Sequence, residues 1–546
     1  MVHYPKYKSK GVYITVAVIV ALFLVGVATI AWNLIPQNVA PLPTISDTSV
    51  LSPGPPIQDS DFVCEKCNVV IVGMTNVRPD HMGLYGYSRD TTPKIDAFAK
   101  RSVVFENAFT PTSWTLPVVA SILTSLYPFQ HGVMGLSGSF NHLGANFTTL
   151  ADILRQNGYR TAAFTGGRDL LPNFGVTSRF DENFYPDSAS DPITSATLSP
   201  AVQSGVPIST SILMSHYGSF GFSVPKAIDW MASHRDKPFF AYVQGFDAHC
   251  PFAVPQKNER FTKGLQSNLD HEDCHINFIE TAPVEVGKKK YFTVFAPPPD
   301  PRTQTNEPLS QLISEEDVEY MAALYDGEIN LVDEHIGKLL DFMETDGLLE
   351  NTLVILLSEH GDMLGKHGRF MRSGPLRGTY YDDVLQVPLV LYFPGNLQQG
   401  VHRPQIVELT DLAPTILDAL SITPPAQFVG RSLRDTMTRD APGAERAFAG
   451  SLFFPGINPY FPDATLIAAL RTPEWKLIYE DIFKSPPDQN AKPLSSFLDP
   501  HKEDVEVRTQ LFDIKNDPEE LIDVSAQHPD IVETLRREMD QRIKSF

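Results

Sequence analysis

Basic residues are in short supply in this 546-residue chain: 44 Lys and Arg stand against 65 Asp and Glu, a formal charge of -21 at pH 7. The acids are spread along the chain rather than gathered in a tail. Nucleic-acid binding draws most of its affinity from neutralised phosphates, so nucleic acid is not an expected partner. Cysteine is rare as well, with Cys64, Cys67, Cys250 and Cys274 the full set. An even number suits disulfides in an oxidising compartment, and three pairings are possible. Cys64 and Cys67 form a CxxC, but no second CxxC exists to complete a zinc site. No internal repeat is visible, and only one long apolar run occurs. With 42% hydrophobic and 20% charged residues, most of the chain is expected to fold in water, as roughly two to four domain-sized units.

The one apolar run, residues 12–32, carries no charge and is long enough at helical rise to cross the hydrocarbon layer. A transmembrane anchor is therefore expected over 12–35. A cleaved signal peptide is the alternative, but its apolar core is usually shorter and no clear A-x-A site closes this one. Lys6, Lys8 and Lys10 precede the run and no Lys or Arg follows it until Lys66. The positive-inside rule then puts residues 1–11 in the cytoplasm and the bulk of a single-pass membrane protein outside. Residues 36–62, rich in Pro and Ser, read as an extended tether.

From Asn68 onward short β-branched runs alternate with amphipathic stretches, which predicts an α/β domain over 63–440 with a mostly parallel central sheet flanked by helices. Strands are expected at 68–72, 103–105, 161–164, 239–243, 353–357 and 389–393. Helices are expected at 92–101, 116–126 and 315–343, the second with Pro117 in its first turn, where a missing N–H costs little. Residues 181–225 and 251–310 lack periodicity and read as long insertions. The character changes near Gly443, so 441–546 is expected to form a smaller C-terminal α+β subdomain ending in a helix over 529–545.

Ligands of open α/β sheets gather beyond the carboxyl ends of the strands. Three such places are polar here: Met74-Thr75-Asn76-Val77-Arg78, Ser358-Glu359-His360-Gly361-Asp362, and Thr115 at a helix entrance. Thr115 is either a helix cap or part of an anion site, because the same backbone N–H groups serve both. Glu359 and His360 pair a carboxylate with an imidazole, a set that suits a divalent metal but also occurs at solvated strand ends. His249, after a buried strand, is structural or catalytic. Arg377 clamps an oxyanion or faces solvent.

Taken in order, these segments resemble the sulfatases of the alkaline phosphatase superfamily, from about Asn68 to the C-terminus. The resemblance rests on Val77-Arg-Pro-Asp-His-Met-Gly-Leu-Tyr-Gly-Tyr, on Ser113-Trp-Thr-Leu-Pro-Val-Val-Ala-Ser-Ile-Leu-Thr-Ser-Leu-Tyr-Pro and on Ser358-Glu-His-Gly-Asp-Met-Leu-Gly-Lys-His-Gly. Asp411-Leu-Ala-Pro-Thr-Ile-Leu-Asp and Leu511-Phe-Asp-Ile-Lys-Asn-Asp-Pro-Glu-Glu extend it. It implies that fold, and a metal-bound nucleophile attacking sulfur or phosphorus in line. Thr115 stands at the nucleophile position. Formylglycine sulfatases have C/S-x-P-x-R there, whereas Thr115-Leu-Pro-Val-Val lacks both the modifiable residue and the Arg, which implies attack by the threonine alkoxide itself.

By the same resemblance Glu359, His360, Asn76 and Thr75 are the metal ligands, for Ca, Mn or Zn. Family members carry an Asp, often two, after the first strand, where this chain has Thr75 and Asn76, so affinity for a hard dication is expected to fall. Arg78, His249 and Arg377 are then expected to handle oxyanions or the leaving group. The implied activity is that of a membrane-anchored hydrolase of sulfate or phosphate esters, with a sulfated or phosphorylated small molecule, glycan or lipid headgroup as partner. The alternative is a catalytically impaired protein of this fold that binds anionic glycans or headgroups, or acts as an interaction protein of the cell envelope.

Overall fold

The sequence run Asn68-Val-Val-Ile-Val is buried on both sides, as a central parallel strand requires, and the structure is built around it. Val69 and Ile71 pack into one core, Val70 and Val72 into another, because successive side chains leave opposite faces of a strand. The structure, a computed structural model, describes residues 62–546 except 136–139, 187–219, 251, 253–255, 268, 270–283, 287–288, 297–308, 369, 371–378, 395–399, 440, 454–463 and 484–504. The expected anchor at 12–35, almost all of the tether, Cys274 and Arg377 lie outside the described residues. Among the described residues no helix is long and apolar enough to cross a membrane. The described residues all belong to one unit, Gly54–Phe546.

Among the described residues, eleven strands precede the C-terminal region. They are β1 (Asn68–Met74), β2 (Val103–Phe109), β3 (Arg160–Phe164), β4 (Glu182–Phe184), β5 (Phe239–Gly245), β6 (Val284–Val286), β7 (Lys289–Ala296), β8 (Leu309–Ser314), β9 (Thr352–Leu357), β10 (Gln386–Tyr392) and β11 (Val401–Glu408). Eight of them form the main sheet in the order β11-β2-β10-β9-β1-β5-β3-β4. Every pairing is parallel except the two made by β10, with β2 and β9. All strands but β10 thus open their carboxyl ends on one edge, where ligands of such sheets collect. β6, β7 and β8 make a separate antiparallel sheet inside a stretch that the sequence presents as insertion.

Helices cover both faces. Helix α1 (Pro93–Ala99), α4 (Phe220–Ser233) and α5 (Glu315–Thr345) contribute Phe98, Trp230 and Ile329 to the core that holds Val70. Helix α2 (Thr115–Thr124), α3 (Leu150–Gln156) and α6 (Leu412–Ala419) contribute Ile122, Leu154 and Ile416 to the other. Four further strands, β12 (Ala447–Phe453), β13 (Ala464–Arg471), β14 (Trp475–Phe483) and β15 (Val505–Asp513), form an antiparallel sheet. Leu535, Met539 and Ile543 of helix α7 (Pro529–Ser545) share its core, as the i, i+4 spacing requires.

One local expectation needs adjustment, and one open choice is decided. Thr115 is not the cap of α2: Trp114, extended at φ -156° and ψ 159°, holds that position, and Thr115 is the first helical residue. The helix stops at Thr124 because Ser125 turns left-handed at φ 53°. Of the three disulfide pairings, Cys64 with Cys67 is the one formed at the entry to β1, and Cys250 is disulfide-bonded too.

Candidate active site

At the carboxyl edge of the sheet, polar side chains from neighbouring strand ends meet in a buried belt. Glu359 follows β9, Thr75 follows β1, Tyr242 and Gln244 lie on β5, and Gly166 follows β3. The Tyr242 hydroxyl donates to Glu359 Oε1 at 2.9 Å and the Thr75 hydroxyl to Oε2 at 3.2 Å. Thr75 Oγ1 in turn accepts from Gln244 Nε2 at 2.6 Å, and Gln244 Oε1 from the Gly166 N–H at 3.2 Å. Burial, and then the charge of Glu359, push the Tyr242 phenol far above its ordinary range, so it stays protonated and remains a donor.

Thr115 comes from the other side. Residues 110–114 carry the chain from the end of β2 to the head of α2, where backbone N–H groups lack helical partners and favour an anion. Thr115 Oγ1 lies 3.2 Å from His360 Nε2, both residues being fully buried. His360 Nδ1 lies 2.9 Å from the Gly361 carbonyl, which can only accept. That contact fixes the proton on Nδ1 and leaves Nε2 to accept the threonine proton. Ser113 Oγ and Trp114 Nε1, flanking the same helix head, are buried donors without a hydrogen-bond partner.

Asn76 is held left-handed at φ 71°. Its Nδ2 donates to Asp362 Oδ2 at 2.6 Å, its carbonyl accepts from the Tyr325 hydroxyl at 2.5 Å, and its Oδ1 is buried without a donor. Arg78 is held by neighbouring oxygens. Its Nε and Nη2 donate to Asp80 at 2.9 and 2.6 Å, its Nη1 to the Asp362 carbonyl at 2.9 Å, and Nη2 also pairs with Asp383. Burial works against its charge, but Asp383 and Asp80 more than offset that and raise its pKa. Arg78, expected to handle oxyanions, has its guanidinium engaged by Asp80, the Asp362 carbonyl and Asp383, which links the segments that follow β1 and β9. His249 sits beyond β5 with Nδ1 2.5 Å from the Cys250 carbonyl. Arg377 lies outside the described residues.

Residues 67–422 match the sulfatase family, and residues 365–483 match the C-terminal family of N-sulphoglucosamine sulphohydrolase. The chain belongs to the sulfatase family. Its members are hydrolases of sulfate or phosphonate ester bonds within the alkaline phosphatase superfamily. Arylsulfatase K of Bos taurus is 23% identical over 473 residues, covering 83% of this chain and 76% of that protein. An arylsulfatase of Clostridium perfringens is 24% identical, covering 68% and 78%. Among solved structures, the phosphonate monoester hydrolase of Agrobacterium radiobacter superposes with a TM-score of 0.63 at 22% identity, covering 88% of this chain and 95% of its own. A protein solved with its substrate D-glucosamine-2-N,6-O-disulfate gives 0.61 at 17%, covering 88% and 99%. These structural likenesses establish the sulfatase fold.

Sulfatase-superfamily enzymes are generally metal-dependent. The residues at this site do not fit a cation of that kind. The Thr75 hydroxyl donates to Glu359 and accepts from Gln244, while both oxygens of Glu359 accept from neutral hydroxyls. A hard dication calls for several anionic oxygens, and the four expected ligands offer one carboxylate. Among the described residues no three His, Cys, Asp or Glu side chains are placed to share a metal ion. Thr75 and Glu359, both expected as metal ligands, are hydrogen-bonded to each other.

Tyr242 and Gln244 are the site residues that sequence reasoning missed. A signal existed, since both are polar and share one face of a strand, Phe239–Gly245, that is buried throughout. A buried polar residue is more informative than any apolar one beside it.

Proposed function

We propose that this chain is a membrane-anchored sulfatase-family hydrolase of sulfate or phosphate esters in which Thr115 is the nucleophile and His360 its base. The observation that carries this reading is the 3.2 Å contact between Thr115 Oγ1 and His360 Nε2 at the head of α2. As the Thr115 oxygen bonds to sulfur or phosphorus, its proton passes to His360 Nε2 and the ester oxygen departs in line with the bonding pair. Water then attacks the same atom, the Thr115 oxygen leaves with the bonding pair and takes its proton back from His360, and the proton that the water loses passes through solvent to the departed ester oxygen. The N–H groups at the start of α2 and the unpartnered donors of Ser113 and Trp114 would take the nonbridging oxygens. His249 and Arg377 are kept as candidate groups for the leaving oxygen and the oxyanion.

An anchor at 12–35, with residues 1–11 cytoplasmic and the sulfatase domain outside, would present this site to extracytoplasmic esters. A sulfated glycan is the favoured substrate class, supported by the fold neighbour whose substrate is a disulfated glucosamine. One observation favours a second reading, a binding protein without turnover: Glu359, the one carboxylate among the four expected ligands, is engaged by hydroxyls.

The test is hydrolysis of aryl sulfate, phosphate monoester and phosphonate monoester by the full chain and its Thr115→Ala variant. Turnover that vanishes in the variant, with a covalent Thr115 adduct found by mass spectrometry, supports the hydrolase. Turnover untouched by the substitution would sink the assignment of Thr115, and no turnover with saturable glycan binding would favour the second reading.

A further inference from the structure

The hydrogen-bonded belt at the carboxyl edge runs without a break across the ends of four adjacent strands. Gly166 beyond β3 donates to Gln244 on β5, Gln244 to Thr75 beyond β1, and Thr75 to Glu359 beyond β9, with Tyr242 of β5 closing on the other carboxylate oxygen. Thr75, Tyr242, Gln244 and Glu359 are all at most 1% exposed. Gly73 is part of the fit: a Cβ there would stand 2.4 Å from Glu359 Oε1 and 2.9 Å from the Tyr242 hydroxyl. The carboxylate is therefore seated against backbone on one side and against donors on the other.

A carboxylate buried this deeply needs compensation, from a cation or from hydrogen bonds. We propose that the belt of Gly166, Gln244, Thr75 and Tyr242 takes the place of a resident divalent cation, so that the site is complete, with Glu359 fixed, without one. Thr75 is the key substitution. As a hydroxyl it can accept from Gln244 and donate to Glu359 at once, whereas a carboxylate at this position could only accept and would repel Glu359 unless a cation lay between them. The belt thus gives both oxygens of Glu359 a hydroxyl donor in the place where a cation would otherwise sit. The inference concerns what holds the site together and stands apart from whether Thr115 turns over an ester.

The experiment uses the purified full chain, with elemental analysis after dialysis and melting temperatures in EDTA and in excess Ca, Mn or Zn. The expected result is far less than one ion per chain and the same melting temperature in every condition. Thr75→Asp combined with Asn76→Asp should melt lower in EDTA and recover in a saturable way on adding Ca or Mn. Tyr242→Phe should melt lower by the same amount with and without ions. One tightly held ion per wild-type chain, or a wild-type melting temperature lowered by EDTA, overturns the proposal. These wild-type readings decide it even if the double variant does not fold.

Discussion

Thr115 and His360 stand 245 positions apart in sequence and 3.2 Å apart in space, one at the head of a helix that follows β2 and the other just past β9. The single strand between β2 and β9 is β10, the one that runs the other way, so the two carboxyl ends face a common gap. The sheet order, rather than either local sequence, makes the pair. If His360 takes the threonine proton, His360→Ala should lower kcat for an aryl sulfate or phosphate ester by about 10²–10⁴-fold, the usual worth of a positioned base. Thr115→Ser keeps the hydroxyl and should retain part of the rate. A His360→Ala variant with wild-type kcat would remove the histidine from the mechanism.

Gly73 explains a second constraint. It is the penultimate residue of β1, and its missing side chain is what lets Glu359 lie against the strand. Gly73→Ala brings its methyl group to within 2.4 Å of Glu359 Oε1 and 2.9 Å of the Tyr242 hydroxyl, both on buried side chains. Overpacking of this kind costs about 1–3 kcal/mol, and the Tyr242 bond to Glu359 should be lost with it. Urea unfolding would show the lowered midpoint, and an unchanged midpoint would mean that Glu359 swings away freely.

Arg78 illustrates how far the sequence could be read. Strand β1 was legible from its β-branched run, and α7 from its 3.6-residue periodicity, expected over 529–545 and found over those same residues. The strand-end positions of Thr75, Glu359 and His360 were legible too, as was Thr115 at a helix entrance, because ligands of α/β sheets gather at that edge. The partners were not. Arg78 looks like an oxyanion clamp until Asp362, 284 residues away, and Asp383 close their hold on it. The Thr75 hydroxyl looks like a metal ligand until Gln244 and Glu359 take both of its bonds. Such contacts depend on strand order, which local periodicity does not encode.

The closed hold on Arg78 makes a distinct prediction. Arg78→Met leaves Asp383 buried with only Lys366, 3.1 Å away, to balance it. Removing one partner of a buried ion pair costs about 3–5 kcal/mol, and Lys366 should keep the loss near the lower end. Because the guanidinium is spent on internal contacts, KM for an anionic ester should stay near wild type in the fraction that remains folded. A raised KM with unchanged stability would return Arg78 to substrate handling.

Asp247 gives the clearest pH signature. It is 6% exposed, its Oδ2 accepts the Phe220 N–H at the start of α4 at 2.8 Å, and its Oδ1 has no partner. Burial pushes its pKa up from 3.8 to about 6, with the Phe220 N–H offsetting only part of the rise. Between these values the unfolded chain has lost the proton that the folded chain still holds, so stability falls as pH rises from about 4 to about 6 and stays lower above that. Asp247→Asn keeps an oxygen for the Phe220 N–H and removes the charge. It should flatten this part of the stability profile and leave the variant more stable than wild type at pH 7, by about 1–3 kcal/mol for a shift of this size. Urea unfolding of both proteins across this pH range measures the difference directly. Parallel profiles for the two proteins would show that Asp247 ionises in the folded chain as readily as in the unfolded one.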